Sequence, residues 1–153
     1  MKTLSVRAPY IFDIMKGAKT VEYRTWQTPH RGDLLLVSSS SPWASYYDEK
    51  DKDWYDYNFK GSFPLGYAMC VINLTECRKV EDQYNWLFDN VRFVKPFPVK
   101  GKLHLFEVEE KPQYIKRLDA LIKLWAKEGL IQDDRILIDN LITTQSVAEF
   151  IYG

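Results

Sequence analysis

Gly17-Ala18-Lys19-Thr20-Val21-Glu22-Tyr23-Arg24-Thr25-Trp26-Gln27-Thr28-Pro29-His30-Arg31-Gly32 is the stretch of the chain from which the fold is read. Lys19, Glu22 and Arg24 fall within six residues, bracketed by Gly17 and Gly32 and followed by the apolar run Leu34-Leu35-Leu36-Val37. Such a packet is too charged for a core and too apolar at its edges for an ordinary solvated face. It reads as the floor of a polar cleft. In a strand, alternation sends Val21 and Tyr23 to one face and Glu22 and Arg24 to the other. Lys19 lies in the preceding turn, where strand parity does not constrain it.

Working outward, Leu4 and Val6 alternate with polar neighbours and predict a short strand. Pro9 opens a helix carrying Ile11, Ile14 and Met15, and Gly17 stands where a left-handed C-cap belongs. After a turn over 28–32, Leu34 to Val37 predicts a buried strand ending in Ser38, Ser39, Ser40 and Ser41. Residues 42–63 hold 8 of the 23 aromatic residues, interspersed with Asp48, Glu49, Asp51, Asp53 and Asp56, and read as a long aromatic-acidic loop. Strands follow at Leu65 to Leu74, Val91 to Val94 and Leu103 to Val108, with a short helix or turn over 81–87. From Pro112 the pattern becomes helical, with Ile115, Leu118, Leu121, Ile122 and Trp125 as its apolar stripe and Gly129 at its end. A second helical segment is expected over 145–151. The order predicts an α+β fold: a small β-barrel domain with flanking helices over 1–110, and a C-terminal helical extension over 111–153 packed on it.

Composition narrows the function. The chain has 153 residues with 46% hydrophobic and 15% aromatic content, enough for one packed core. Lys plus Arg and Asp plus Glu each number 21, and a net charge of zero argues against a strongly basic, non-specific nucleic-acid binder. Locally, residues 1–40 carry six basic groups against three acids. Cys70, Cys77, His30 and His104 lack the spacing of a zinc site, so no metal and no cofactor is expected. There is no apolar run long enough to span a bilayer and no leader-like segment after Met1, which leads to the expectation of a cytoplasmic chain without a membrane partner.

The candidate ligand-binding residues are Lys19, Glu22, Arg24, Trp26, Arg31 and Ser38. Arginine offers a planar fork to phosphate, lysine a movable point charge, and glutamate an acceptor for an exocyclic amine. Arg31 flanks the packet and suits a phosphate contact. Ser38 leads the hydroxyls that follow the buried strand. His30 is expected to be exposed in its turn, and His104 to be structural within a strand. Lys116, Lys123 and Lys127 form a solvated face of the C-terminal helix.

Gly17-x-Lys19-x-x-Glu22-x-Arg24-x-Trp26, followed by Thr28-Pro29-His30-Arg31-Gly32, resembles the signature of the activating signal cointegrator homology (ASCH) domain, a branch of the PUA-like superfamily. Leu4-Ser5-Val6-Arg7-Ala8-Pro9 resembles that family's opening strand, and Leu65-Gly66-Tyr67 the start of its central strand. Trp86 to Phe106, with Arg92, Pro96, Pro98 and Gly101, resembles its closing hairpin. The resemblance implies a PUA-like barrel whose cleft binds RNA, a single-stranded nucleic acid or a small nucleoside-like ligand. Some small bacterial members hydrolyse N4-acetylcytidine, using a threonine nucleophile at the position that Glu22 occupies here. Three readings therefore stand: a nucleic-acid or nucleotide binder, a hydrolase with Lys19 and Glu22 as catalytic residues, and a protein-interaction module using the aromatic segment.

Overall fold

In the computed structural model, residues 1–132 are described. The first strand, β1 (Lys2–Val6), leads into a short helix, α1 (Tyr10–Met15), and then β2 (Val21–Arg24) and β3 (Gly32–Ser38). Next come β4 (Trp43–Asp48), β5 (Asp53–Asn58) and two long strands, β6 (Ala68–Val80) and β7 (Gln83–Val94). Two short strands, β8 (Phe106–Glu107) and β9 (Tyr114–Ile115), precede the helix α2 (Leu118–Lys127).

The main sheet runs β2-β7-β6-β3-β1-β8, with β9 added beside β7, and it curls into a half-barrel. The fold is thus the small α+β barrel expected from the sequence. Bulges between β3 and β6, and two between β6 and β7, supply the curl, since an extra residue on one strand bends it. β1 and β3 are parallel, so the chain needs a crossover between them. That crossover contains α1, Gly17 (φ +80°) and β2, and therefore the whole charged packet.

Core placement explains the apolar run in β3. Leu34 and Leu36 face the main core with Leu4, Val6, Ile14 and Trp86, while Leu35 and Val37 face a smaller cluster with Ala68, Val71 and Val94. A strand covered on both sides has no polar face to alternate with. In α2, Leu118, Leu121, Ile122 and Trp125 are fully buried in that same main core. A ladder of edge-on rings joins the helix to the barrel: Trp125 to Phe63 at 5.4 Å, then Phe63 to Phe12 at 5.6 Å.

Several expectations are corrected here. Residues 42–63 are mainly the two-stranded sheet β4-β5, separate from the main sheet. Asp48 accepts from the amides of Lys50 (2.8 Å) and Asp51 (3.0 Å), and Lys52 takes a left-handed φ of +52°, which closes the turn. Residues 81–87 are not helical: Glu81 turns the chain at φ +56° and β7 starts at Gln83. The strand expected over 103–108 shrinks to Phe106–Glu107, and Ile115 belongs to β9 rather than to the helical stripe. The helix expected over 145–151 lies outside the described residues. No helix among the described residues is long and apolar enough to cross a membrane.

Candidate ligand-binding cleft

Among the described residues the half-barrel does not close by strand pairing. β2 ends the sheet on one side, while β1 lies near the other end, and β8 covers only Lys2 and Thr3 of β1. The open side of β1 from Ser5 onward thus faces β2 across a seam. Along that seam lies a cleft of about 590 Å³. The Arg24 side chain spans it: Nη2 donates to the Ser5 carbonyl at 2.9 Å and to Glu22 Oε2 at 3.0 Å.

Glu22 points inward, with only 8% of its surface exposed, and strand parity then turns Tyr23 outward. Both carboxylate oxygens of Glu22 are occupied. Oε1 accepts from Lys19 Nζ at 2.8 Å and from the Tyr23 amide at 3.2 Å, and Oε2 accepts from Arg24. A carboxylate so buried is retained by its two cations, because an uncompensated charge there would be strongly destabilising. Lys19 reaches it from the turn after Gly17, where the amides of Ala18 and Lys19 both donate to the Asp13 carbonyl. Its ammonium also lies 4.8 Å from the Tyr10 ring centre and 5.6 Å from that of Tyr23. Burial, the dominant influence, raises the Asp13 carboxyl above its ordinary value, against the opposing pull of Lys16 and Lys19.

Trp26 forms one end of the cleft. Its ring meets Trp86 at 4.8 Å and His104 at 4.7 Å, both edge-on, and its carbonyl accepts from Trp86 Nε1 at 3.1 Å. His104 is not in a strand: it sits in a bend at φ +59° and lines the cleft with Lys102 and Leu103. Gly101 lets this segment press against β1, since a Cβ there would lie 3.1 Å from Ser5 Oγ.

The structure therefore brings Lys19, Glu22, Arg24 and Trp26 together in one cleft. Arg31 and Ser38 lie elsewhere. Arg31 is exposed and donates to the carbonyls of Thr28 and His30, each at 2.8 Å, pinning its own turn. Ser38 is buried; its Oγ donates to the Tyr67 carbonyl at 3.3 Å and accepts from the Tyr67 amide at 3.1 Å, and it is Ser39 that reaches the cleft. His30 is half-buried, with Nε2 donating to the Asp33 carbonyl at 2.8 Å.

Sequence reasoning missed Arg7, Tyr10, Lys102 and His104, which join the lining from β1's far end and from the 102–104 segment. Arg7 carried a signal in its place just before Pro9; Lys102 and His104 carried none, because only the seam brings them near. Four cations among the described residues, Arg7, Lys19, Arg24 and Lys102, thus face one carboxylate, Glu22. Among the described residues neither Arg7 nor Lys102 has a carboxylate partner, and no group of His, Cys, Asp and Glu is placed to hold a metal. Neither cysteine is bonded, and burial pushes the Cys70 thiol far above its ordinary value, which removes it as a nucleophile.

The family model described as the ASCH domain matches residues 4–124. The chain is similar to activating signal cointegrator 1 of Homo sapiens, 26% identical over 157 residues, and to that of Mus musculus, 25% identical over 157 residues. Each match covers 86% of this chain and 25% of the relative. The chain spans about a quarter of the length of these curated relatives.

Proposed function

The chain belongs to the ASCH-domain family, and on that premise we propose that its seam cleft binds nucleic acid, in the form of a single-stranded RNA segment or a modified nucleoside. The observation that carries this reading is the pairing of charge with rings. Four cations face one carboxylate, and Tyr10, Tyr23 and Trp26 line the same cleft. Among the described residues Arg7 and Lys102 have no competing carboxylate, which suits them to phosphate oxygens. Tyr10 and Tyr23, 40% and 53% exposed, offer ring faces to a base, each such stack being worth roughly 1–3 kcal/mol in single-strand binders.

The hydrolase reading has the 2.8 Å contact of Lys19 with Glu22 in its favour. Against it, Glu22 is buried and held between two cations, with Oε1 filled by Lys19 and the Tyr23 amide and one acceptor position left on Oε2, an arrangement better suited to receiving a donor than to moving a proton. Binding is therefore the reading the geometry supports best.

Fluorescence anisotropy with a labelled oligouridylate, repeated across a salt series, tests it. Two to four phosphate contacts give a log–log salt slope of roughly −1.5 to −3, from about −0.7 per phosphate on a single strand. Absence of binding at low salt overturns the proposal.

A further inference from the structure

Trp26 and His104 have a groove on either side. One is the seam cleft; the other, of about 650 Å³, is lined by Lys2, Gln27, Pro29 and His30, with Trp26 and His104 as the wall common to both. We infer that the two grooves form one track for an extended strand, and that the second groove is a subsite for the nucleotide next to the one in the cleft. The inference rests on the nucleic-acid reading above and adds to it the length of the ligand.

Both walls of the track run through the divider. The 102–105 segment places Lys102 and Leu103 on the cleft side and Leu105 on the far side, with His104 touching both. Opposite, the chain leaves Arg24 and Thr25 in the cleft, passes Trp26, and continues as Gln27 to His30 in the second groove. Each groove falls within the volume range of small-ligand sites, about 300–1,000 Å³. The divider is rigid, because Trp26 is held by two edge-on rings and by the bond from Trp86 to its carbonyl.

The second groove offers nucleotide chemistry of its own. Gln27 is exposed and carries both a donor and an acceptor for a base edge. His30 is oriented by its bond to the Asp33 carbonyl, and Pro29 adds a second fixed flat surface beside it. Lys2 supplies the cation, but its Nζ is paired with Glu107 at 3.0 Å. Glu107 lines neither groove; its carboxylate holds Lys2 and, at 3.4 Å, the Met1 ammonium, and of these two cations Lys2 is the one that lines the track.

The test compares uridine 5′-monophosphate with di- and tetrauridylate by titration calorimetry, in the native chain and in Gln27→Ala and Glu107→Gln. The tetranucleotide should bind the native chain at least about fivefold more tightly than the monophosphate, the lower end of one stacked base. Gln27→Ala should narrow that ratio. Glu107→Gln should widen it and steepen the tetranucleotide salt slope by about 0.7, one further phosphate neutralised. Ratios unmoved by both variants, with the probes still bound, overturn the second subsite and leave the cleft reading standing. Failure of every probe to bind overturns both.

Discussion

Arg24 and Ser5 sit on strands that are not neighbours in the sheet, yet the Arg24 guanidinium donates to the Ser5 carbonyl at 2.9 Å. One side chain thus replaces the ladder that would have closed the barrel, and it does so beside the carboxylate it also holds. Truncating it should affect folding as well as binding. Arg24→Ala is expected to lose about 1–3 kcal/mol in urea unfolding, the range for a hydrogen bond to a charged group or an orphaned buried acceptor. Arg24→Lys should recover less than half of this, since both bonds leave the terminal nitrogen Nη2 and the shorter lysine side chain falls short of that position. A variant as stable as the native chain would show that the seam is held elsewhere.

Glu22 gives a prediction whose sign depends on the base offered. Glu22→Gln removes the carboxylate from between Lys19 and Arg24, whose side chains are 19% and 25% exposed. Stability should fall by about 1–3 kcal/mol, below the 3–5 of a fully buried pair because both cations keep some water. An oligouridylate presents no exocyclic amine, and it should bind the variant about threefold to tenfold more tightly as the cleft gains positive charge. An oligocytidylate, which offers an amine donor to the native carboxylate, should gain less or lose affinity. Equal changes for the two probes would remove Glu22 from base recognition.

Deacetylation of N4-acetylcytidine separates binder from enzyme. The resemblance to the N4-acetylcytidine hydrolases implies a carboxylate, Glu22, in the place of their threonine nucleophile, so acetate release by the native chain should be at least about a hundredfold slower than by a threonine-bearing relative, the scale of one catalytic group. Robust turnover by the native chain would reverse the ranking. Activity gained only in Glu22→Thr would reveal a competent scaffold without its nucleophile.

Asp33 supplies the pH test. The Arg92 guanidinium, 2.8 Å away, holds the Asp33 carboxyl below its ordinary value by hydrogen bonding. A carboxyl lowered in the fold adds stability above its unfolded pKa, about 3.9. That stability is lost as pH falls through the folded value. The pair is exposed, so Asp33→Asn should lose only about 0.2–1 kcal/mol at neutral pH. The native and variant melting curves should converge in strong acid; a constant offset at every pH would mean that the ion pair is not its cause.

The parts of this fold legible in the sequence are those set by local chemistry. Gly17 ends α1 at φ +80° as its position suggested, and the alternation of Val21, Glu22, Tyr23 and Arg24 correctly paired the two charged side chains on one face. Alternation alone could not say which face is inward. Here Tyr23 is exposed and Glu22 buried, because Lys19 and Arg24 compensate the carboxylate. The hairpin β4-β5 was hidden by its acids, although its aromatic residues carry strand propensity and its turn is tied by Asp48. Lys102 and His104 were illegible for a different reason: they reach the cleft only because Gly101 presses against Ser5, a contact between distant parts of the chain.

The parallel pairing of β1 with β3 carries a consequence for how such a molecule can change over generations. The connection between two parallel strands is obligatory, and here that connection is α1, the Gly17 turn and β2. A lineage therefore cannot shed the charged packet by deletion and keep the barrel. New ligand preferences must arise by replacing single side chains within an inherited frame. Among the described residues the β4-β5 hairpin pairs with no other strand, so it is under no such restraint, and its length is free to drift.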